Sequence, residues 1–286
     1  MLKKRISLIL AAVLLAVAAV SLVGCGARKV EGKVWTYYVL QNGKVALVGL
    51  NPDAVPEDGV LYIPNKVDGR KVSGFGVITS SGIGGTYGDM FSIPHMEKLI
   101  VADGVPINNG FWDAGRIIEL ESKTAENIYF TASQNNIIVP DGCRETYLTA
   151  MEAQQSGRSR YYCVLEKSEA EGLEWLIDED GLLKGYFGLE SQHLVLPSGI
   201  KKIDDNSIIG GGGIWPETIV LNEDLEEIAD YGLNFRPSYH ALDEITIPKS
   251  VQYLGKRSIS TRKIYLYRST VCHEDMLYGK EVVYLD

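Results

Sequence analysis

Three stretches of the chain share one pattern of apolar and polar positions. In IKKIDDNSI (200–208), LEEIADYGL (225–233) and VQYLGKRSI (251–259) the first and fourth residues are apolar, the eighth small and the ninth apolar. Their starts lie 25 and 26 residues apart. Alone, the middle copy reads as an acidic amphipathic helix. Three copies in phase at this period read instead as the coils of a stacked repeat. A short alternating strand runs into each copy, HLVLPSG, ETIVLNE and EITIPKS in turn, and KIYLYRS and EVVYLD follow. One such unit cannot cover its own apolar face, whereas stacked units bury a continuous core and pair their strands in parallel.

Strand alternation then sorts the side chains. Leu194, Leu196, Ile219, Leu221, Ile245, Ile247, Ile264 and Leu266 point inward. Val195, Val220, Thr246 and Tyr265 point outward, with Tyr267 beside Tyr265. This outward ladder is the candidate binding surface, semi-apolar rather than charged, which suits a broad protein–protein contact. The alternative is that a flanking hairpin or helix covers it.

The front half repeats the theme more loosely. YYVLQNGKVALVGL and WLIDEDGLLKGYF each read as two strands about a turn, Asn42-Gly43 and Asp180-Gly181. Between them KLIVADG, RIIELES, NIYF and NIIVP read as strands, and residues 144–155 as a helix. The acidic EKSEAEGLE opens on a candidate linker at 166–172, which divides two arrays, 33–165 and 173–286.

ITIPKSVQYLGKRSI (245–259) and LVLPSGIKKIDDNSI (194–208) resemble the BspA-like leucine-rich repeats of bacterial surface proteins. Those repeats run from a strand ending in Ile-Pro through spaced apolar positions to Ala-Phe. IVLNEDLEEIADYGL (219–233) lacks the proline, and Ser-Ile or Gly-Leu stands in place of Ala-Phe. The resemblance is closest over 182–286. It implies a β-rich repeat solenoid, a leucine-rich-repeat parallel sheet stack with capping hairpins and few short helices. It also implies adhesion to a host or neighbouring-cell protein or glycan.

The N-terminus has the layout of a secretory signal: Lys3, Lys4 and Arg5, an apolar run over 6–20, then small residues before Cys25. Leu22-Val23-Gly24-Cys25 resembles a bacterial lipobox. That reading makes 1–24 a signal peptide, Cys25 the lipidated residue and 25–32 a tether. It places the protein on the outer face of the bacterial cytoplasmic membrane, held by its N-terminal lipid. The alternative is an uncleaved span over residues 6–23. Removing the three basic residues with the signal leaves 25 Lys and Arg against 37 acids, a net charge of −12. So acidic a body repels phosphates, and nucleic acid is not an expected partner.

A search for chemistry finds no reaction. HEDML starts like a zinc HExxH motif, but its fifth residue is Leu277, and His95, His193 and His240 stand apart. SSGIGGTYGD and IGGGGIW give neither a Walker A nor a GxGxxG motif and read as loops. There is no GxSxG, and DEDG at 178–181 fits a hairpin turn better than a calcium loop. Cys143, Cys163 and Cys272 carry no CxxC spacing; a Cys143–Cys163 pair and three small buried side chains are the two readings. Trp35, Trp112, Trp175 and Trp215 are either stacking platforms or packing residues, with Trp35 and Trp175 opening the two hairpins. No catalytic residue, cofactor or metal is expected. The expectation is a non-catalytic surface interaction protein; a structural spacer or envelope-assembly component is the alternative, followed by a cell-wall or polysaccharide hydrolase.

Overall fold

A computed structural model describes residues 27–75, 78–79, 82–83, 96–107, 115–126, 128, 136–154, 163–189, 192–208, 216–233 and 242–286. Over these residues the protein is β-rich, with two short α-helices. The chain opens with β1 (Arg28–Glu31) antiparallel to β2 (Trp35–Val39), and β2 antiparallel to β3 (Val45–Leu50). The second connection is the expected Asn42-Gly43 turn, with Gly43 at φ +75°. Arg28–Glu31 falls within the expected tether, 25–32, but is a strand. Its Val30 packs against the core and its backbone pairs along the whole of β1 with β2.

After a 3-10 turn at Pro52–Ala54 come β4 (Val60–Ile63), β5 (Lys66–Val67) and β6 (Arg70–Phe75). The two-residue strands β7 (Ile78–Thr79) and β8 (Gly82–Ile83) pair with each other. Next are β9 (Met96–Val101), β10 (Gly115–Leu120), β11 (Asn136–Val139), α1 (Arg144–Gln154), β12 (Cys163–Glu166) and α2 (Lys167–Ala170). Strands β4, β9, β10, β11 and β12 lie side by side in that order, all parallel. Register aligns Leu61, Leu99, Ile118 and Ile137 in one buried row. Helix α1 closes this core with Tyr147 and Met151, and the Tyr147 hydroxyl donates to the Ser122 carbonyl at 2.7 Å.

The second half restarts on a hairpin, β13 (Trp175–Ile177) antiparallel to β14 (Leu182–Tyr186), about Gly181 at φ +81°. From there the chain alternates between two layers: β15 (His193–Val195), β16 (Lys202–Ile208), β17 (Thr218–Val220), β18 (Glu227–Ile228), β19 (Leu242–Thr246), β20 (Tyr253–Leu254), β21 (Thr261–Tyr267), β22 (Val271–Cys272) and β23 (Glu281–Leu285). Even-numbered strands from β14 form one parallel layer; β15–β17 and β19–β21–β23 form the other. One apolar core lies between them.

The phase expected from the sequence recurs in the strand pairing. Ile203 pairs with Ile228, and Ile228 with Leu254, in adjacent parallel strands. Ile200, Leu225 and Val251 are buried beneath them, and Leu233 bridges to Ile259. The small eighth position has a steric cause: a Cβ on Gly232 would meet Ile228 Cγ2 at 3.0 Å and Ile203 Cγ2 at 3.2 Å. At Ser258 the buried hydroxyl donates to Met276 Sδ at 3.2 Å. The side chains of Ser207 and Ile208 lie outside the described residues.

The missing proline of the middle copy also has an account. Asn222 occupies that place and donates from Nδ2 to the Pro197 carbonyl of the preceding coil at 2.7 Å. Next to it, Asp224 Oδ2 accepts from Gly199 N–H at 3.0 Å. Asn222→Ala is expected to cost about 1 kcal/mol, the net value of one such bond, measurable by urea unfolding.

Residues 166–172, expected as a linker, are a packed joint. Helix α2 is held by a capping box between Glu166 and Glu169, by Ser168 N–H donating to Asp141, and by Lys167 pairing with Glu119 at 2.7 Å. Beneath it Ile117, Ile138, Leu165 and Phe187 form a cluster with Leu173 and Leu176. The outer face of the first parallel sheet is therefore covered by the second hairpin, and Asn136 donates to the Tyr186 carbonyl across the joint. The acidic sequence hides this, because its charges serve as caps and ion-pair partners rather than as a solvated spacer.

Candidate interaction surface

The outward ladder is built by β15, β17, β19 and β21. All eight inward residues, from Leu194 to Leu266, are buried. Parallel register places Val195 beside Val220, and Thr246 beside Tyr265. Strands β17 and β19 pack side by side, which brings the two pairs into one row. Val195 is 63% exposed and Val220 55%, so no flanking element among the described residues covers them. Thr246 is exposed, while Tyr265 and Tyr267 are half-buried.

The two ends of the row differ chemically. At the β15 end it is bare valine, flanked by His193, whose Nδ1 lies 3.1 Å from Thr218 Oγ1. At the β21 end the Tyr265 hydroxyl donates to Glu244 at 3.2 Å and Lys263 lies 5.1 Å from the ring centroid. Lys263 also pairs with Glu281 at 2.9 Å, and the bond to that carboxylate holds its pKa above the usual lysine value. Lys249 sits 5.9 Å from the Tyr267 ring. The surface is thus an apolar strip grading into aromatic rings rimmed by ion pairs.

Val283 extends the row, because Tyr265 pairs with it in the next strand. The alternation of EVVYLD carried that signal. The exposed Tyr278, Tyr284 and Val271 were not legible, since alternation does not say which face stays uncovered.

The motifs that only resemble chemistry are turns. His273 accepts from the Asp275 N–H through Nδ1 at 3.2 Å, capping its own turn. Asp178 accepts from the N–H groups of Leu182 and Asp180 and pairs with Lys184 at 3.0 Å, and these bonds hold its carboxyl below the usual range. Trp35 is buried, and Trp175 packs on Tyr186 with ring centroids 4.2 Å apart. Cys143, Cys163 and Cys272 are free thiols; burial pushes Cys163 up to about 11, away from reactive thiolate character. Among the described residues no three His, Cys, Asp or Glu side chains come together as a metal site. Trp112, Trp215, His95, His240, Cys25 and most of the two glycine-rich stretches lie outside the described residues.

No protein-family model and no curated protein matches this chain. Among solved structures it is similar to a leucine-rich cell surface protein from Faecalibacterium prausnitzii A2-165, at 11% sequence identity and a TM-score of 0.24. That match covers 90% of this chain and 54% of the other, so the chain spans about half the length of that protein. Among the described residues no helix is long and apolar enough to cross a membrane.

Proposed function

We propose that this chain is an exported surface lipoprotein, anchored through Cys25, whose two leucine-rich-repeat-like arrays, 33–165 and 173–286, form a solenoid that binds a partner without catalysis. The observation that carries the reading is the outward row of Val195, Val220, Thr246 and Tyr265, uncovered at its valine end although every inward neighbour is buried. Exposed β-branched side chains in register across parallel strands make a flat apolar strip, and its ion-paired rim sets orientation rather than affinity. A protein of the host or of a neighbouring cell fits that strip better than a glycan, because the outward groups offer few free hydrogen-bond donors. The parallel stacking at the sequence period supports the solenoid, and the Cys25 context supports the anchor.

The test is binding of the exported chain to an array of matrix proteins, mucins and glycans, with a Thr246→Glu/Tyr265→Glu variant beside it. A saturable protein signal weakened about tenfold or more in the variant is expected, since two charges then enter the contact. Silence across the array from folded protein replaces this reading with that of a structural spacer.

A further inference from the structure

Acids bracket the valine end of the outward row. The stretches 192–198, 216–224 and 242–249 carry β15, β17 and β19 with their flanks. They hold Glu217, Glu223, Asp224, Asp243 and Glu244 against a single base, Lys249. All five acids are exposed, and Glu217 and Glu223 stand at opposite ends of β17. Asp243 pairs with Arg262 at 3.1 Å, and Asp224 accepts from the Gly199 N–H. Among the described residues Glu217 and Glu223 have no lysine or arginine partner; His193 Nε2 lies 4.0 Å from Glu217.

The molecule holds one occupied case of a similar geometry. In the first parallel sheet Ile138 of β11 and Leu165 of β12 face outward in register, as Val195 and Val220 do in the second half. Phe187, Leu173 and Leu176 pack on them. In the same row Glu119 stands beside Ile138 and takes Lys167 at 2.7 Å. The element that covers an outward apolar pair therefore brings leucine and phenylalanine to the pair and a lysine to the acid beside it. At Val195 and Val220 the same two kinds of group, apolar pair and acid, face solvent.

Resting on the reading of the ladder as a binding surface, we propose that it takes a basic segment of a partner protein. Leucine or phenylalanine seats on Val195 and Val220, while lysine or arginine at the two ends of the segment meets Glu217 and Glu223. Those acids are separated by roughly 20 Å along the strand direction, so the cations stand about as far apart. The apolar pair holds the complex, and the acid rim speeds association and rejects acidic competitors. With a net charge of −9, this chain is a poor source of such a segment, which argues against a second copy as the partner. The same rim repels phosphate-bearing and sulfated ligands. A carboxylate placed within the row itself, as at Thr246 and Tyr265, lies beneath the apolar face of the segment and weakens binding all the same.

The test measures binding of the full chain, held in detergent micelles, to three immobilised peptides. These are Lys-Leu-Thr-Phe-Thr-Leu-Lys, the same peptide with glutamate at both ends, and the same peptide with serine in place of leucine and phenylalanine. The first is expected to bind about tenfold or more tightly than either of the others, and to weaken as salt rises, because exposed charges are screened. This ranking is read on the unaltered chain and needs no variant to fold. Glu217→Gln/Glu223→Gln and Val195→Ser/Val220→Ser each reduce binding of the first peptide about tenfold. Glu57→Gln/Glu126→Gln removes equal charge from exposed positions of the first half and leaves it unchanged. Circular dichroism matching the native chain shows that each variant is folded. Equal binding of the lysine-ended and glutamate-ended peptides, no binding of the first, or an equal loss in Glu57→Gln/Glu126→Gln would overturn the basic partner. A protein ligand weakened by Thr246→Glu/Tyr265→Glu but not by salt or by Glu217→Gln/Glu223→Gln would overturn it too, while leaving the ladder as the binding surface.

Discussion

Replacing Gly181 with alanine is expected to destabilise the protein by about 2–5 kcal/mol, the sum of a left-handed backbone cost and an overpacking cost. The residue sits at φ +81° in the hairpin that opens the second half. A Cβ there would lie 2.6 Å from the Gly199 carbonyl oxygen and 3.3 Å from Lys201 N, both backbone atoms of the next coil. They cannot retreat freely, because the Gly181 carbonyl accepts from Lys201 N–H at 2.9 Å and Lys202 N–H at 3.2 Å, the bonds that seat that coil on the hairpin. Gly43 is the matched control. It has the same conformation in the first hairpin, φ +75°, with nothing within 4 Å of its Cβ position. Gly43→Ala should therefore cost only the backbone component, about 1–2 kcal/mol. Urea unfolding of both variants decides it: equal losses would show that the close approach to Gly199 does not constrain the stack.

The second large effect is expected at Glu119. Its carboxylate is buried on the outer face of β10 and pairs with Lys98 at 2.6 Å and Lys167 at 2.7 Å, tying the first sheet to α2. Burial by itself would raise its pKa, but the hydrogen bonds from Lys167 and Lys98 outweigh it and hold the carboxyl below the usual glutamate value. Glu119→Gln leaves Lys98 poorly solvated and without a counter-charge. A fully buried pair broken in this way loses about 3–5 kcal/mol; here about 2–3 is expected, because Lys167 reaches solvent and is screened. The pH dependence has a definite sign. A carboxyl whose folded pKa is depressed contributes stability that is complete above its unfolded pKa and is lost as pH falls through the folded value. The gap between native protein and Glu119→Gln should thus be widest near neutral pH and shrink on acidification. A gap of constant size from neutral pH to about pH 3 would rule out the ion pair as its source. Lys98→Met with Glu119→Leu should recover most of the loss, because it removes both charges together.

These two sites differ in how far the sequence could reveal them. Asp180-Gly181 announces a turn by residue type alone, and the fold needs the glycine where the sequence puts it. That the neighbouring coil presses on the same atom is a fact about residue 199, invisible in the local pattern. Glu119 lies within RIIELES as one polar residue of an alternating strand and reads there as facing water. It is buried instead because the second hairpin and α2 cover that face through Ile117, Ile138, Leu165 and Phe187. Alternation predicts which residues share a face but not whether the second face is wet. The packed joint at 166–172 escaped for the same reason, since Glu166 and Lys167 find partners on Arg144 and Glu119 and the Ser168 N–H donates to Asp141, all distant in the chain.

The sequence by itself determined the period of the second half, the phase of its core, the two hairpin turns and the direction of each ladder residue. These depend on relations within one coil or on repetition between coils, and both are written as spacing. Only the tertiary structure decided which residues of LEEIADYGL form a strand. Glu227–Ile228 becomes a two-residue strand because Lys202–Ile203 and Tyr253–Leu254 lie on either side to take its hydrogen bonds. The structure alone also decided that Asn222 replaces a proline with a bond between coils and that the first sheet is covered on both faces. Each of these is set by what lies alongside in space, a relation that alternation and period do not encode.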